Sequence, residues 1–164
     1  MSAERLPDLL RPGLRLVICG SAAGTRSAAV GAYYAGPGNK FWRILHESGL
    51  TPRLLEPAEF PLLTDYGIGL TDLAKRYAGA DAGIRRGHDD VAGLVGKIET
   101  FRPAHLAFNG KRAARAVLAR EVAYGPQAET IGASRLIVLP STAGLASRWW
   151  NPGPWHALAA VVQI

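Results

Sequence analysis

Cysteine is almost missing from this sequence: Cys19 is the only one in 164 residues. A single thiol excludes a disulfide framework within the chain, and with it any four-cysteine zinc or iron–sulfur site. Cys19 sits in the apolar run Leu16-Val17-Ile18-Cys19 and reads as a buried strand residue, which fits a reducing cytoplasm. Long apolar runs are missing as well. No segment approaches the length that crosses a bilayer, and Met1-Ser2-Ala3-Glu4-Arg5-Leu6-Pro7 lacks the basic region and apolar stretch of an export signal. His46, His88, His105 and His156 are scattered without metal-ligand spacing, so no metal is expected. Acids are in short supply: 13 Asp and Glu stand against 19 Lys and Arg, a formal charge of +6. Fifteen of the basic residues are arginine, whose planar fork suits phosphate. The excess favours a polyanionic partner without naming one.

What is present is a normal core-forming composition. Hydrophobic residues make up 48% of the chain, enough for a core that needs neither metal nor disulfide. Four compact apolar runs, bounded by Gly, Pro or polar turn residues, predict strands at 15–20, 66–70, 105–109 and 135–139. They lack polar alternation, as strands of a parallel sheet covered on both faces do. Between them, apolar residues at helical spacing predict helices at 40–47, 88–101, 111–120 and 155–162. The expected fold is a three-layer α/β/α sandwich with a central, mainly parallel four-stranded sheet, in one domain spanning 1–164. Ligands of such folds bind at the carboxyl ends of the strands. That rule selects the loops 21–38, 71–76, the flanks of Gly110, and 140–148. Loop 21–38 stands out, because long stretches without regular structure are commonly functional.

These loops hold the unusual motifs. Gly20-Ser21-Ala22-Ala23-Gly24 is followed by Tyr33-Tyr34-Ala35-Gly36-Pro37-Gly38-Asn39-Lys40-Phe41-Trp42. A second region reads Leu139-Pro140-Ser141-Thr142-Ala143-Gly144-Leu145, with Phe108-Asn109-Gly110-Lys111 and Gly69-Leu70-Thr71-Asp72-Leu73 between. In order and spacing this set resembles the uracil-DNA glycosylase superfamily. The mismatch-specific uracil-DNA glycosylases and the hypoxanthine-DNA glycosylases are the similar branches. The resemblance runs from about Pro12 to the last helix. It departs in both motifs: those enzymes carry a water-positioning Asn or an Asp in the first, where this chain has Ala22. In the second motif Ser141 and Thr142 replace the usual His or Asn.

The resemblance implies an enzyme that flips a deaminated base from DNA and hydrolyses its N-glycosidic bond. Bond cleavage builds positive charge on the sugar and negative charge on the base. It therefore calls for an anion or amide carbonyl near the sugar, donors toward the base, and a flat face to hold it. Two residues are catalytic candidates. Asn39 matches the Asn that opens the next helix, with a helix cap as its alternative role. Asp72 follows a predicted strand at the ligand edge, and it too has a cap as alternative. Ser21, Ala22, Tyr34 and Asn109 are the expected base-binding set, with Tyr34 stacking on the extruded base. Lys111, Ser141, Thr142 and Arg148 are expected phosphate or backbone contacts, Gly144 and Leu145 forming the wedge that fills the vacated stack. Asp81, Asp89 and Asp90 read as a solvated acidic patch beside Arg85-Arg86.

The resulting expectation is a monofunctional, cofactor-free, cytoplasmic DNA glycosylase acting as a monomer without an obligate protein partner. Its substrate would be DNA containing uracil, with hypoxanthine second. A catalytically silent damaged-DNA binding module and a small-molecule or nucleotide hydrolase of similar fold are the alternatives.

Overall fold

The structure, a computed structural model, describes residues 4–162; residues 1–3, part of the segment read above for an export signal, and the last two residues lie outside the described part. The elements run β1 (Leu16–Gly20), α1 (Thr25–Val30), α2 (Phe41–Glu47), a 3-10 stretch (Pro57–Tyr66), β2 (Ile68–Asp72), two single 3-10 turns (Asp81–Gly83 and Arg86–His88), α3 (Val91–Phe101), β3 (His105–Asn109), α4 (Lys111–Leu118), β4 (Gly125–Ile131), β5 (Ser134–Leu139), a 3-10 turn (Gly144–Trp149) and α5 (Gly153–Val162). The strands form one sheet in the order β2-β1-β3-β5-β4, parallel throughout except for β4, which pairs antiparallel with β5.

The strand sequences explain the layering. Successive side chains alternate between faces, and in β1 Leu16 and Ile18 enter one apolar cluster while Val17 and Cys19 enter the other. Ile137 and Leu139 of β5 join the first cluster, and Leu136 and Val138 the second. The first cluster is closed by Phe41, Trp42, Ile44 and Leu45 of α2 and by Trp155, Leu158 and Val162 of α5. The second is closed by Leu94 and Ile98 of α3 and by Ala113 and Ala114 of α4. A sheet buried on both sides needs apolar residues at every position, which is why the strands show no polar alternation.

The α/β/α sandwich matches the expectation, with three differences. The sheet has five strands rather than four. The additional β4 is a polar edge strand with Pro126 near its start, a pattern that apolar-run counting passes over. Loop 21–38 is not without regular structure, since it contains α1. Strand β2 is shifted two residues toward the C-terminus of the expected 66–70, because Tyr66 ends the preceding 3-10 stretch and Gly67, at φ 78°, makes the turn into the strand. The shift makes Asp72 the last residue of a strand, in place of a loop residue or helix cap.

An N-terminal strap fixes this edge of the sheet. Leu9 bridges to Leu70 beside β2. Asp8 bonds to Thr71 Oγ1 at 2.6 Å and to the ammonium groups of Lys75 at 2.9 Å and Lys97 at 2.6 Å. The buried Lys75 also donates to Leu6 O at 2.6 Å and to Tyr33 Oη at 3.3 Å, satisfying its three protons. Burial works against ionised Asp8, but Lys97, Thr71 and Lys75 outweigh it and hold the carboxyl below its usual range. A carboxyl depressed by folding contributes stability above its unfolded pKa, about 3.9, and that contribution disappears as pH falls through the folded value. Asp8→Asn leaves Lys75 buried and short of its counter-charge, so chemical denaturation at pH 7 is expected to show a loss of about 3 kcal/mol. The deficit should shrink on titration to pH 3. An equal deficit at both pH values would assign the loss to packing rather than charge.

Candidate active site

The site is built where β1 and β2 end together. Their parallel register pairs Gly20 with Asp72. A Cβ at position 20 would lie 2.6 Å from Asp72 Oδ1 and 3.0 Å from Tyr34 Oη, so glycine is what lets a carboxylate and a phenol meet against the same backbone. Asp72 is 5% exposed and lines a cavity of about 1010 Å³. Among the described residues no donor bonds to its carboxylate. Burial pushes its pKa up to about 6 despite the attraction of Lys75. An acid with no donor facing a cavity is an acceptor held in reserve, and its charge is costly to maintain.

Tyr34 forms the wall beside it. Its ring stacks on Phe41, with centroids 3.9 Å apart and planes 24° apart, and its backbone takes the left-handed conformation at φ 54°. That conformation is rare for an aromatic residue and is held here by its surroundings. Tyr34 Oη is buried without a hydrogen-bond partner of good geometry, although the Asn109 side chain lies beside it and favours the ionised form. Burial, reinforced by Asp72, outweighs Asn109 and lifts the phenol well above its ordinary value, so it remains a donor at neutral pH. Asn109 ends β3 and lines the same cavity. It accepts from Thr142 N and donates to Thr142 Oγ1, both at 3.0 Å, which leaves one amide proton for a ligand.

The mouth is made from two loops that interlock. Asn39 lines the cavity but is not the helix cap expected of it: Lys40 holds that position without a side-chain cap bond, and Asn39 Oδ1 accepts from Phe41 N at 3.0 Å in an Asx turn one residue earlier. Lys40 N donates to Thr142 O at 2.9 Å, and Lys40 Nζ to Ser147 Oγ at 2.7 Å. Gly144 packs on the Pro37–Gly38 backbone, where a Cβ would stand 3.4 Å from Pro37 O. Beyond this contact Leu145 is 84% exposed and Trp149 61% exposed, the guanidinium of Arg148 lying 5.2 Å from the Trp149 ring centre. A single exposed apolar side chain is ordinary, but Leu145 and Trp149 stand on one turn at the cavity rim, and grouped apolar surface of this kind marks a contact site.

The structure thus gathers most of the sequence candidates around one cavity: Ser21, Ala22, Tyr34, Asn39, Asp72, Asn109, Lys111, Ser141, Thr142, Gly144 and Leu145 all line it. Arg148 stands next to it, on the same turn as Leu145. Thr142 has no exposed surface, so holding Asn109 suits it better than touching phosphate. Asp81 corrects the sequence reading. Though exposed as a residue, it lines the cavity wall, and desolvation raises its carboxyl against the pull of Arg112 and the nearby Ser21 side chain. Asp89, by contrast, forms a two-pronged pair with Arg112 at 2.9 and 3.0 Å. Extending the strand-end loop from residue 76 to 82 would have found Asp81. Tyr124 and Arg115, also in the lining, carried no signal in the sequence.

The site is thus an acid, an aromatic and amides converging at the carboxyl edge of a doubly covered parallel sheet, beside an exposed apolar turn. The match to the model of the uracil DNA glycosylase superfamily extends over residues 7–163, and the chain belongs to that superfamily. Its fold is similar to that of a solution NMR structure from Methanosarcina acetivorans, described as a candidate uracil DNA glycosylase. The TM-score is 0.64, at 23% identity over 97% of each chain. Among the described residues there is no group of three or more His, Cys, Asp or Glu side chains placed to hold a metal, and no helix long and apolar enough to cross a membrane.

The raised pKa of Asp72 has a measurable cost. A folded-state value of about 6 means that the native protein binds this proton more tightly than the unfolded chain. Its stability must therefore fall as pH rises from about 4 through 6. Asp72→Asn removes the charge while keeping the shape. Denaturation at pH 7.5 should show the variant more stable by an amount on the order of 2–3 kcal/mol, with no gain at pH 4. A variant less stable than wild type at pH 7.5 would mean that Asp72 has a structural partner.

Proposed function

We propose that the chain is a monofunctional DNA glycosylase that hydrolyses the N-glycosidic bond of a deaminated base, uracil first and hypoxanthine second. The observation that carries this reading is the donor-free carboxylate of Asp72 at the floor of a cavity walled by Tyr34, Asn39 and Asn109. Leu145 enters the stack as the target nucleotide swings out, and the base lies against Tyr34. The free amide proton of Asn109 and the Tyr34 hydroxyl are the donors for base oxygens. As the bond from C1′ to the base nitrogen breaks, Asp72 offsets the positive charge on the sugar and accepts a proton from the attacking water. The oxygen of that water bonds to C1′. The base leaves with the bonding electron pair, stabilised by the donors, and is protonated by solvent. Asn39 assists through the second lone pair of its Oδ1, the first being occupied by Phe41 N. These two residues replace the water-positioning group missing at Ala22.

Phosphate contacts fall to Lys111, Ser141 and Arg148, so affinity for DNA should drop steeply with salt and depend little on sequence. The deciding experiment is cleavage of uracil-containing and hypoxanthine-containing oligonucleotides, read as alkali-sensitive abasic sites under single turnover. Asp72→Asn and Asn39→Ala are each expected to slow excision by roughly a hundredfold or more. The wild-type rate should rise with pH through about 6 as Asp72 ionises. Leu145→Ala should lose most on paired targets and least on unpaired ones, which need less help to leave the stack. Tight binding with no base release from any substrate would make the protein a damage-binding module. Full excision by both folded site variants would remove Asp72 and Asn39 from the mechanism.

A further inference from the structure

The cavity is larger than its proposed occupant. At about 1010 Å³ it reaches the top of the range that encloses whole drug-sized ligands, roughly 300–1,000 Å³, whereas an extruded pyrimidine is a single ring. Lys111, Arg115 and Tyr124 belong to its lining and have no part in the proposed chemistry at Asp72. Tyr124 is 37% exposed, and Lys111 Nζ stands 4.5 Å from the centre of its ring. Among the described residues the Arg115 guanidinium has one partner, an exposed ion pair to Glu121 at 3.4 Å, a contact of little energetic weight. Two lining rings thus have a cation beside them: Trp149 with Arg148, and Tyr124 with Lys111.

We infer that Tyr124, Lys111 and Arg115 form a second nucleotide subsite, which binds the base and phosphate next to the extruded nucleotide in single-stranded DNA. This inference rests on the base-excision reading of the cavity. Three properties point to a single strand. Inside a duplex a neighbouring base has one face on its own stack and the other against Leu145, so an aromatic ring at the cavity wall has no base face to meet. A base in an unpaired strand presents a face, and stacking of this kind tolerates any base. The two cations beside the ring match the phosphate that must follow the base. Lys111 serves both purposes, lying against the Tyr124 ring while its ammonium protons remain free for phosphate oxygen.

The test separates binding from chemistry. Fluorescence anisotropy with a labelled oligothymidine lacking any damaged base reports the subsite directly. Tyr124→Ala should weaken that binding about tenfold or more, the scale of one lost stacking contact, while Tyr124→Trp retains it. On uracil substrates, Tyr124→Ala should raise KM for single strands with kcat nearly unchanged, and leave KM for duplexes within about twofold. Unaltered oligothymidine binding by a folded Tyr124→Ala protein, or equal KM increases on both substrate forms, would overturn the subsite. If the wild type releases no base from any substrate, the base-excision reading fails. Loss of oligothymidine binding in Tyr124→Ala would in that case still establish a single-strand site.

Discussion

The arrangement of this protein depends on one steric allowance, the missing side chain at Gly20. Parallel pairing of β1 with β2 brings the two strands to an end together, and the residue opposite Asp72 has to leave room for both the carboxylate and the Tyr34 hydroxyl. Everything else at the site is arranged around that gap. The strap through Asp8 and Lys75 secures the outer edge of β2, the stack on Phe41 holds Tyr34 in a backbone conformation that is rare for an aromatic residue, and Thr142 fixes the Asn109 amide. An ionisable group is thereby kept in a place that opposes its ionisation. Such an arrangement is common where stability is given up for reactivity.

The sequence made the architecture legible where physics leaves a strong periodic mark. Doubly buried strands must be apolar throughout, and α2, α3, α4 and α5 each show a one-sided apolar stripe, so the layers and the ligand edge could be read without coordinates. Features governed by long-range geometry left no such mark. Strand β4 is polar because one of its edges faces water, and α1 is too short to show a stripe. The two-residue shift of β2 depends on where the turn at Gly67 falls, and that small shift turned Asp72 from a loop residue into the end of a strand.

The candidate site was legible for a different reason. Its residues sit in motifs resembling those of known enzymes, and the strand-end rule independently chose the same loops. What it lacked was depth. Desolvation raises the proton affinities of the buried Asp72 and of Asp81 at the cavity wall, and desolvation is a property of the folded whole. Asp81 looked solvated beside its acidic neighbours, and only the fold separates it from Asp89, which is occupied by Arg112. On the proposed mechanism the Ala22 position, read as a loss in the sequence, is a transfer: Asp72, at the end of the neighbouring strand, takes over the work of the missing polar group.

The contact between Gly38 and Gly144 joins two loops more than a hundred positions apart in the chain. The two backbones meet closely: a methyl group on Gly144 would stand in van der Waals contact with the Pro37–Gly38 backbone, and Gly38 at φ 78° is in a conformation that favours glycine. The loop that carries Asn39 and the turn that carries Leu145 are therefore one mechanical part made from two pieces of sequence. A side chain longer than a methyl at position 144 would part the two loops unless residues 37 and 38 moved with it. Transplanted together, the two pieces would carry Leu145 and the Asn39 wall of the cavity as a single unit.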